Sequence, residues 1–144
     1  MSDDSPESKA RQATAALIRN YYEAFNKGDD AAMLACVTED VIHDVNQGER
    51  RQGKDKFTAF MARMAHHYKE QLEGVTVMVN KDGTRAAAEF NVNGTYLNTD
   101  PGLPDANGQT YKLPAGAFFA IKDGKVARVT TYYNLTDWIA QVAG

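Results

Sequence analysis

Apolar residues in the first half of the chain recur every three or four positions, which is the spacing of amphipathic helices. The first stripe of this kind consists of Leu17, Ile18, Tyr21, Tyr22, Ala24 and Phe25. Gly28 fits the position just past a helix C-terminus, where a positive φ is favoured. Asp29 or Asp30 can then cap a short second helix over residues 31–37. A third helix is predicted over 54–72, because a second apolar stripe runs along it. That stripe consists of Phe57, Phe60, Met61, Met64 and Tyr68.

The remaining segments have the pattern of β-strands. Residues 41–46 are rich in β-branched side chains and too short for a helix, so a strand is predicted there. Further strands are predicted over residues 75–79, 85–96, 111–121 and 125–134. The pair Asp123-Gly124 marks a tight hairpin between the last two. The loop over residues 98–109 is long for a compact domain, and it is either a lid over a pocket or a large hairpin loop. Residues 135–142 are predicted to form a short final helix.

This order of elements predicts an α+β fold. Helices come first, with one strand embedded among them, and an antiparallel meander of four strands follows. Such segregation favours helices packed on one face of a curved, mainly antiparallel sheet. The whole chain, residues 1–144, has the length of a single domain, and residues 1–8 are expected to form a flexible tail.

Charge and composition exclude several classes of partner. The net charge is −3 and the basic residues are scattered, so no face suited to nucleic acid is expected. The acidic N-terminal stretch lacks the apolar region of a secretory signal, and the longest apolar run, residues 115–121, is too short to span a bilayer. We therefore expect a cytoplasmic protein without a membrane partner. The single cysteine, Cys36, excludes an intrachain disulfide.

Four segments resemble a known family. Residues 20–29 (NYYEAFNKGD) resemble the first-helix signature of ketosteroid isomerases and SnoaL-like polyketide cyclases. Residues 39–44 (EDVIHD) resemble the strand after their second helix, and residues 51–55 (RQGKD) the entry to their third. The ending over residues 123–133 also fits. The order and spacing of these motifs identify the chain as a member of the nuclear transport factor two-like superfamily, which implies a cone-shaped domain around a pocket for a hydrophobic small molecule.

The resemblance also implies roles for individual residues. Asp44 falls where ketosteroid isomerases keep their general base, and Tyr21 falls where they keep a tyrosine of the oxyanion hole. Their third group is a protonated carboxylic acid, and it would fall near Ala117. Because no acid is present there, the chain has two of the three parts, and a carbonyl substrate other than a ketosteroid is favoured.

The direction of Asp44 depends on the alternation of the strand over residues 41–46. Alternation places Asp44 and Asn46 on one face and His43 on the other. Apolar content slightly favours the His43 face as the inner one, whereas the resemblance implies that Asp44 points into the cone. An inward Asp44 would have a raised pKa and act as a base near neutral pH. His43 would then reach the pocket only through a bulge, and Asn46 could orient a carbonyl or a water.

The resemblance implies a mainly apolar lining for the pocket. The lining residues are Asn46, Phe57, Phe60, Met61, Met64, Ala117, Phe119, Val129, Thr131 and Tyr133. The same residues would also make an ordinary core. Neither a metal nor a cofactor is expected, because His66 and His67 are adjacent and diverge on a helix. The glycines also form no phosphate-binding loop.

Three functional hypotheses remain open. The first is an isomerase- or cyclase-type enzyme in which Asp44, assisted by Tyr21 and His43, removes a proton next to a carbonyl without a metal. The second is a non-catalytic small-molecule binding or accessory protein of the same fold. The third is an epoxide hydrolase of the limonene type, which is disfavoured because no arginine lies on the predicted inner faces.

A homodimer is predicted from the sheet face that points away from the helices. That face would carry Arg128, Thr130 and Tyr132 together with Glu89, Asn91 and Asn93. No predicted element covers it, and tyrosine and arginine are enriched at protein interfaces. Related folds pair through this face, and symmetric dimers are the commonest oligomers. The alternative is a solvated antiparallel face.

Overall fold

Four helices and six strands make up residues 5–143, the part of the chain that the computed structural model describes. The helices are α1 (Pro6–Lys27), α2 (Asp30–Ala35), α3 (Lys54–His67) and α4 (Leu135–Val142). The strands are β1 (Val37–Val45), β2 (Arg51–Gln52), β3 (Tyr68–Val79), β4 (Arg85–Tyr96), β5 (Thr110–Lys122) and β6 (Lys125–Tyr133). They form one curved sheet in the order β2-β1-β6-β5-β4-β3, and only β1 and β6 pair in parallel. The predicted α+β class is confirmed, with three helices before the meander and one after it.

Helix α1 begins earlier than expected. The Ser5 side chain caps it by accepting a hydrogen bond from the Ser8 backbone N–H at 3.1 Å. Pro6 occupies the first turn, where its missing N–H costs nothing. The predicted tail over residues 1–8 is therefore wrong from residue 6 onward, and residues 1–4 lie outside the described part. At the other end, Gly28 adopts a φ of 70°, as predicted for a residue past a helix C-terminus.

The boundary between α3 and β3 corrects the sequence prediction. The predicted helix over residues 54–72 ends at His67, and β3 starts immediately afterwards, seven residues before the predicted strand at 75. Residues 68–72 alternate between more and less buried side chains and pair one by one with β4, from Tyr68 opposite Tyr96 to Leu72 opposite Val92. A ladder of backbone hydrogen bonds to a distant strand thus outweighs the local helical pattern.

The sheet has an inner face toward the helices and an outer face without helices among the described residues. Residues opposite each other in a ladder share a face. The row of His43, Val129 and Phe119 is inner, because the buried Phe119 ring packs edge-on against two tyrosines of α1. The adjacent row of Asp44, Thr130 and Phe118 is therefore outer, and Phe118 is 52% exposed.

Helix α4 packs against the aromatic rings of β3, β4 and β5. Its tryptophan, Trp138, is buried and meets the rings of Tyr68, Tyr96 and Tyr111 edge-on, at centroid distances of 5.9, 4.9 and 5.9 Å. Trp138 therefore joins three strands that hold these rings, β3, β4 and β5. Large aromatic side chains bury more apolar area than any others, so this residue anchors the helix.

Truncation after Asn134 should lower the melting temperature by several degrees. The reason is the loss of the Trp138 anchor, since removing a buried aromatic side chain costs about 3 to 5 kcal/mol. Thermal unfolding followed by circular dichroism measures the effect, and truncation after Val142 is the control that keeps α4. Equal melting temperatures for both truncated proteins would contradict the anchoring role.

Candidate functional site

Asp44 lies on the outer face of the sheet, so its predicted position inside the cone is wrong. Its carboxylate accepts hydrogen bonds from Arg50 Nε at 2.8 Å, from Arg50 Nη2 at 2.9 Å and from the Thr130 hydroxyl at 3.0 Å. The hydrogen bonds from Arg50 lower the pKa of Asp44, against the opposing effect of partial burial. A base needs free lone pairs and a pKa near neutrality. With three hydrogen bonds already accepted and a lowered pKa, Asp44 is a poor base, and its interactions are those of a structural ion pair.

His43 takes the inner position opposite Val129, and the register irregularity of β1 lies before it, between Val37 and Ile42. Its ring lies 4.5 Å from the Phe60 ring and 5.2 Å from the Phe57 ring, and the Arg51 guanidinium stands 4.4 Å from the Phe60 centroid. Burial, and then the charge of Arg51, lowers the pKa of His43 to about 4. The imidazole is therefore neutral at neutral pH. Its Nδ1 is buried and has no hydrogen-bond partner among the described residues.

Four members of the predicted pocket lining are buried in the core, Phe57, Ala117, Phe119 and Val129. The predicted oxyanion tyrosine, Tyr21, is buried as well. Burial raises the pKa of the Tyr21 hydroxyl, and its ring packs edge-on against neighbouring aromatic rings. The partly buried members are Phe60, Met61, Met64, Thr131 and Tyr133. Asn46 is exposed, and its side-chain amide bonds to the backbone N–H and C=O of Tyr133, both at 3.2 Å. Asn46 thus extends the ladder between β1 and β6.

A carboxyl–phenol pair that the sequence reading missed lies on the inner face. The Tyr111 hydroxyl donates to Glu70 Oε2 at 2.6 Å. Gly94 stands between them in the ladder, and a Cβ at that position would overlap the Tyr111 ring. The glycine therefore lets the phenol cross β4 to reach β3. Burial raises the pKa of Glu70, although the hydrogen bond from Tyr111 opposes the shift.

A second carboxyl–phenol pair lies nearby, and the pKa of its carboxyl is lowered rather than raised. Asp100 accepts hydrogen bonds from Arg63 Nη2 at 2.6 Å and from the Tyr68 hydroxyl at 2.8 Å. Burial favours the neutral form of Asp100, yet the hydrogen bonds from Arg63 and Tyr68 outweigh it and lower the pKa. Asp100 therefore remains ionised, and the Arg63 guanidinium balances its charge.

Asp100 also fixes the long loop between β4 and β5. Its backbone N–H donates to the Tyr96 hydroxyl at 2.8 Å, and that hydroxyl donates to the Pro104 carbonyl at 2.7 Å. Leu103 and Ala106 pack against the core. Of the two alternatives for this segment, the hairpin loop is the one observed, since it joins two antiparallel partners.

Tyr133 and Trp138 connect the two pairs. Burial raises the pKa of Tyr133, and the charges of Glu70 and Asp100 raise it further, so its hydroxyl lies within electrostatic reach of both. No hydrogen bond from this hydroxyl is present within residues 5–143. Trp138 contacts the rings of both paired tyrosines. We call Tyr68, Glu70, Asp100, Tyr111, Tyr133 and Trp138 the phenol–carboxyl cluster.

The cluster combines one carboxyl that stays ionised with one that can exchange a proton nearer neutrality. Two titratable groups whose surroundings push their pKa values apart are the usual arrangement for acid–base chemistry. The sequence carried one signal for it, because Gly94 inside a strand marks a close approach by another group. Tyr68 and Glu70 were missed because they fall in the segment read as helix.

Metal and membrane features are absent from the described residues. In that part of the chain, no three side chains of His, Cys, Asp or Glu come together as metal ligands would. Among the helices of residues 5–143, none has the length and apolar character needed to cross a bilayer.

Comparisons with known proteins agree on one family. Residues 18–129 match the model of the SnoaL-like domain. A candidate polyketide cyclase from Xanthomonas campestris is 56% identical over 92% of this chain and 98% of its own, with a TM-score of 0.89. Similar candidates come from Pseudomonas putida (61% identity, 90% and 97% coverage, TM-score 0.88) and a Silicibacter species (57%, 92% and 97%, 0.90). No curated protein sequence matches the chain.

Replacing Glu70 by glutamine should stabilise the protein at alkaline pH and not at acid pH. The amide keeps an acceptor for Tyr111 but removes a carboxyl whose ionisation burial disfavours. Because the pKa of Glu70 is raised in the folded state, the wild type loses stability relative to the variant as pH rises from the ordinary pKa of about 4.5 through the raised pKa. Each unit of pKa difference corresponds to about 1.4 kcal/mol.

Urea unfolding between pH 4 and pH 8 measures this difference. Glu73→Gln, at an exposed position of the same strand, is the control and should show no such trend. A stability difference between wild type and Glu70→Gln that widens on acidification would show that burial does not raise this pKa.

Proposed function

The chain belongs to the SnoaL-like domain family, and from this we propose that it is a polyketide cyclase-like enzyme acting on a hydrophobic carbonyl compound. The proposed reaction is removal of a proton from the carbon next to the carbonyl, without a metal. The observation that supports it most is Glu70, a carboxyl on the inner face whose pKa burial raises. The family resemblance implies such a base at Asp44, but the Arg50 ion pair makes Asp44 unsuitable for that role.

In the proposed mechanism, ionised Glu70 takes the proton and becomes the neutral acid. The electron pair of the broken C–H bond moves to the carbonyl oxygen, which gains negative charge. Tyr133 donates a hydrogen bond to that oxygen, because its half-buried hydroxyl makes no other hydrogen bond among the described residues. Tyr111 holds the Glu70 carboxyl in place through the 2.6 Å hydrogen bond. Return of the proton to another atom of the substrate completes an isomerisation, and attack of the enolate on a second carbonyl completes a cyclisation.

The substrate would bind at the phenol–carboxyl cluster rather than deep between the helices and the sheet. The deep positions are filled by packed side chains such as Phe119 and Val129. The phenol–carboxyl cluster offers aromatic rings with polar tips, which suits a flat ligand carrying few oxygen atoms. The negative charge of Asp100 would have little effect on the enolate, because the Arg63 guanidinium pairs with it at 2.6 Å.

Glu70→Gln should abolish exchange of the acidic protons of 2-tetralone, a hydrophobic ketone used as the probe, with solvent deuterium. A general base contributes about 10²- to 10⁴-fold to such a step, and loss of one donor to the oxyanion costs about 10²- to 10³-fold. Tyr133→Phe should therefore slow exchange by the latter factor. Proton NMR in deuterium oxide follows the reaction.

Asp44→Asn is the matched control, since it removes a carboxylate of the outer face, and it should leave the exchange rate unchanged. If proton exchange of 2-tetralone persisted in Glu70→Gln and disappeared in Asp44→Asn, Asp44 would be the base. Binding of the ketone with no exchange by the wild type would instead support the accessory-protein hypothesis.

We further propose that two copies associate through their outer sheet faces. Phe118 and Tyr132 are 52% and 48% exposed there, and their rings meet edge-on at 5.7 Å. Met78 lies on the same face and is also largely exposed. A second copy of the chain is the favoured partner for this face. The face carries both positive and negative side chains, including Glu89 and Arg128, so two copies of it can complement each other.

Tyr132→Glu should convert the proposed dimer to a monomer. The substitution places a charge in the middle of the exposed aromatic pair, where burial against a partner would leave it without a counter-ion. Sedimentation at micromolar concentration measures the mass, and Asn20→Glu on the exposed side of α1 is the control. Wild-type protein of monomer mass, unaltered by Tyr132→Glu, would refute the dimer.

A further inference from the structure

A polar groove occupies the outer face of the sheet at the end remote from Asp44. Two neighbouring rows of side chains across β3, β4 and β5 form it. The rows are Lys69, Thr95 and Thr110, and then Gln71, Asn93 and Lys112. The groove has a volume of about 600 Å³. Because successive residues of a strand point to opposite faces, it lies behind the inner row that contains Glu70.

The charge of the groove has one sign. Two lysines line it and no carboxylate does. Lys112 has one ion pair, with Glu73 at 3.5 Å, and both side chains are largely exposed, so this contact holds the ammonium group weakly. Lys69 has no ion pair within residues 5–143. The ammonium groups are therefore free to turn toward a ligand, in a protein whose net charge is negative.

The floor of the groove contains one donor that lacks an acceptor. The Nδ2 of Asn93 is buried and has no hydrogen-bond partner among the described residues. Buried polar groups nearly always have a partner, so this amide can donate to an oxyanion once the side chains that cover it turn aside. The hydroxyls of Thr95 and Thr110 lie beside it in the adjoining row.

The wall of the groove is fixed by α4. The Gln141 side chain accepts from the Lys112 backbone N–H and donates to the Lys112 carbonyl, both at 2.9 Å. This paired contact holds the end of β5 and the last turn of α4 together. The groove is thus formed before any ligand arrives, which lowers the entropic cost of binding.

The geometry points to a binding site for the oxyanion group of a small ligand, a phosphate or a carboxylate, held between Lys69 and Lys112 over Asn93. The two lysines stand on outer strands of a three-strand patch, roughly 10 Å apart across the sheet, and their long side chains can converge on one anion. Hydrogen bonds to charged groups are stronger than those between neutral groups, so amide and hydroxyl donors on the floor add to the attraction. The site is separate from the proposed catalytic function and does not depend on it. It lies on the same outer face as the proposed dimer contact, six residues along β5 from the exposed Phe118–Tyr132 pair.

The test is a titration of the ¹⁵N-labelled protein with inorganic phosphate and, separately, with acetate, at constant ionic strength. Saturable shifts are expected for the backbone amides of residues 93–95 and 110–112. The double variant Lys69→Gln with Lys112→Gln should bind at least 10-fold more weakly. The control, Lys122→Gln with Lys125→Gln, loses the same charge from the β5–β6 hairpin and should bind as the wild type does. Tighter binding of phosphate would identify a phosphate ligand, and tighter binding of acetate would identify a carboxylate ligand.

Several results would overturn the proposal. Shifts that do not saturate, or that weaken equally in the control, would show that the anion meets only the general charge of the surface. A changed sedimentation mass of the Lys69 and Lys112 variant, with no phosphate response in the wild type, would show that these lysines contact a second copy. Exchange of 2-tetralone by the same variant reports separately on Glu70, so failure of one proposal is distinguishable from failure of the other.

Discussion

The parallel pairing of β1 with β6 decides which side chains enter the interior. It aligns His43 with Val129 and Asp44 with Thr130. Val37 and Val41 of β1 are fully buried and hold the strand against the helices. Because side chains alternate along a strand, a shift of one residue would exchange every inner position for an outer one. The packing of the buried valines therefore determines that the His43 imidazole faces inward and the Asp44 carboxylate faces outward.

The interior contains two kinds of environment for an acid. In the phenol–carboxyl cluster, Asp100 has a guanidinium and a phenol as donors, and its pKa is lowered. Glu70 has a single phenol as donor, and burial raises its pKa. The opposite pKa shifts of the two carboxyls thus come from unequal numbers of donors around two similar groups, rather than from any rare residue.

The fold was predictable where its signals are local. The cap at Gly28 and the hairpin at Asp123-Gly124 depend on neighbouring residues, and both were found. The strand over residues 68–72 was missed, because its apolar spacing continues that of α3 and only pairing with distant β4 distinguishes the two states. The candidate site was missed with it. Asp44 was placed on the wrong face for another reason: the resemblance implied that it points inward, while apolar content had slightly favoured the His43 face as the inner one.

Gly94 has a consequence for how this protein tolerates change. The glycine does no chemistry, yet a single added methyl group would push the Tyr111 ring away from β4 and break its bond to Glu70. The constraint at this position is one of volume. A random library of substitutions would therefore record position 94 as intolerant of change, although the atoms that matter there belong to its neighbours. An engineer who wished to reshape the site would have to redesign positions 94 and 111 together, since neither can be changed in size alone.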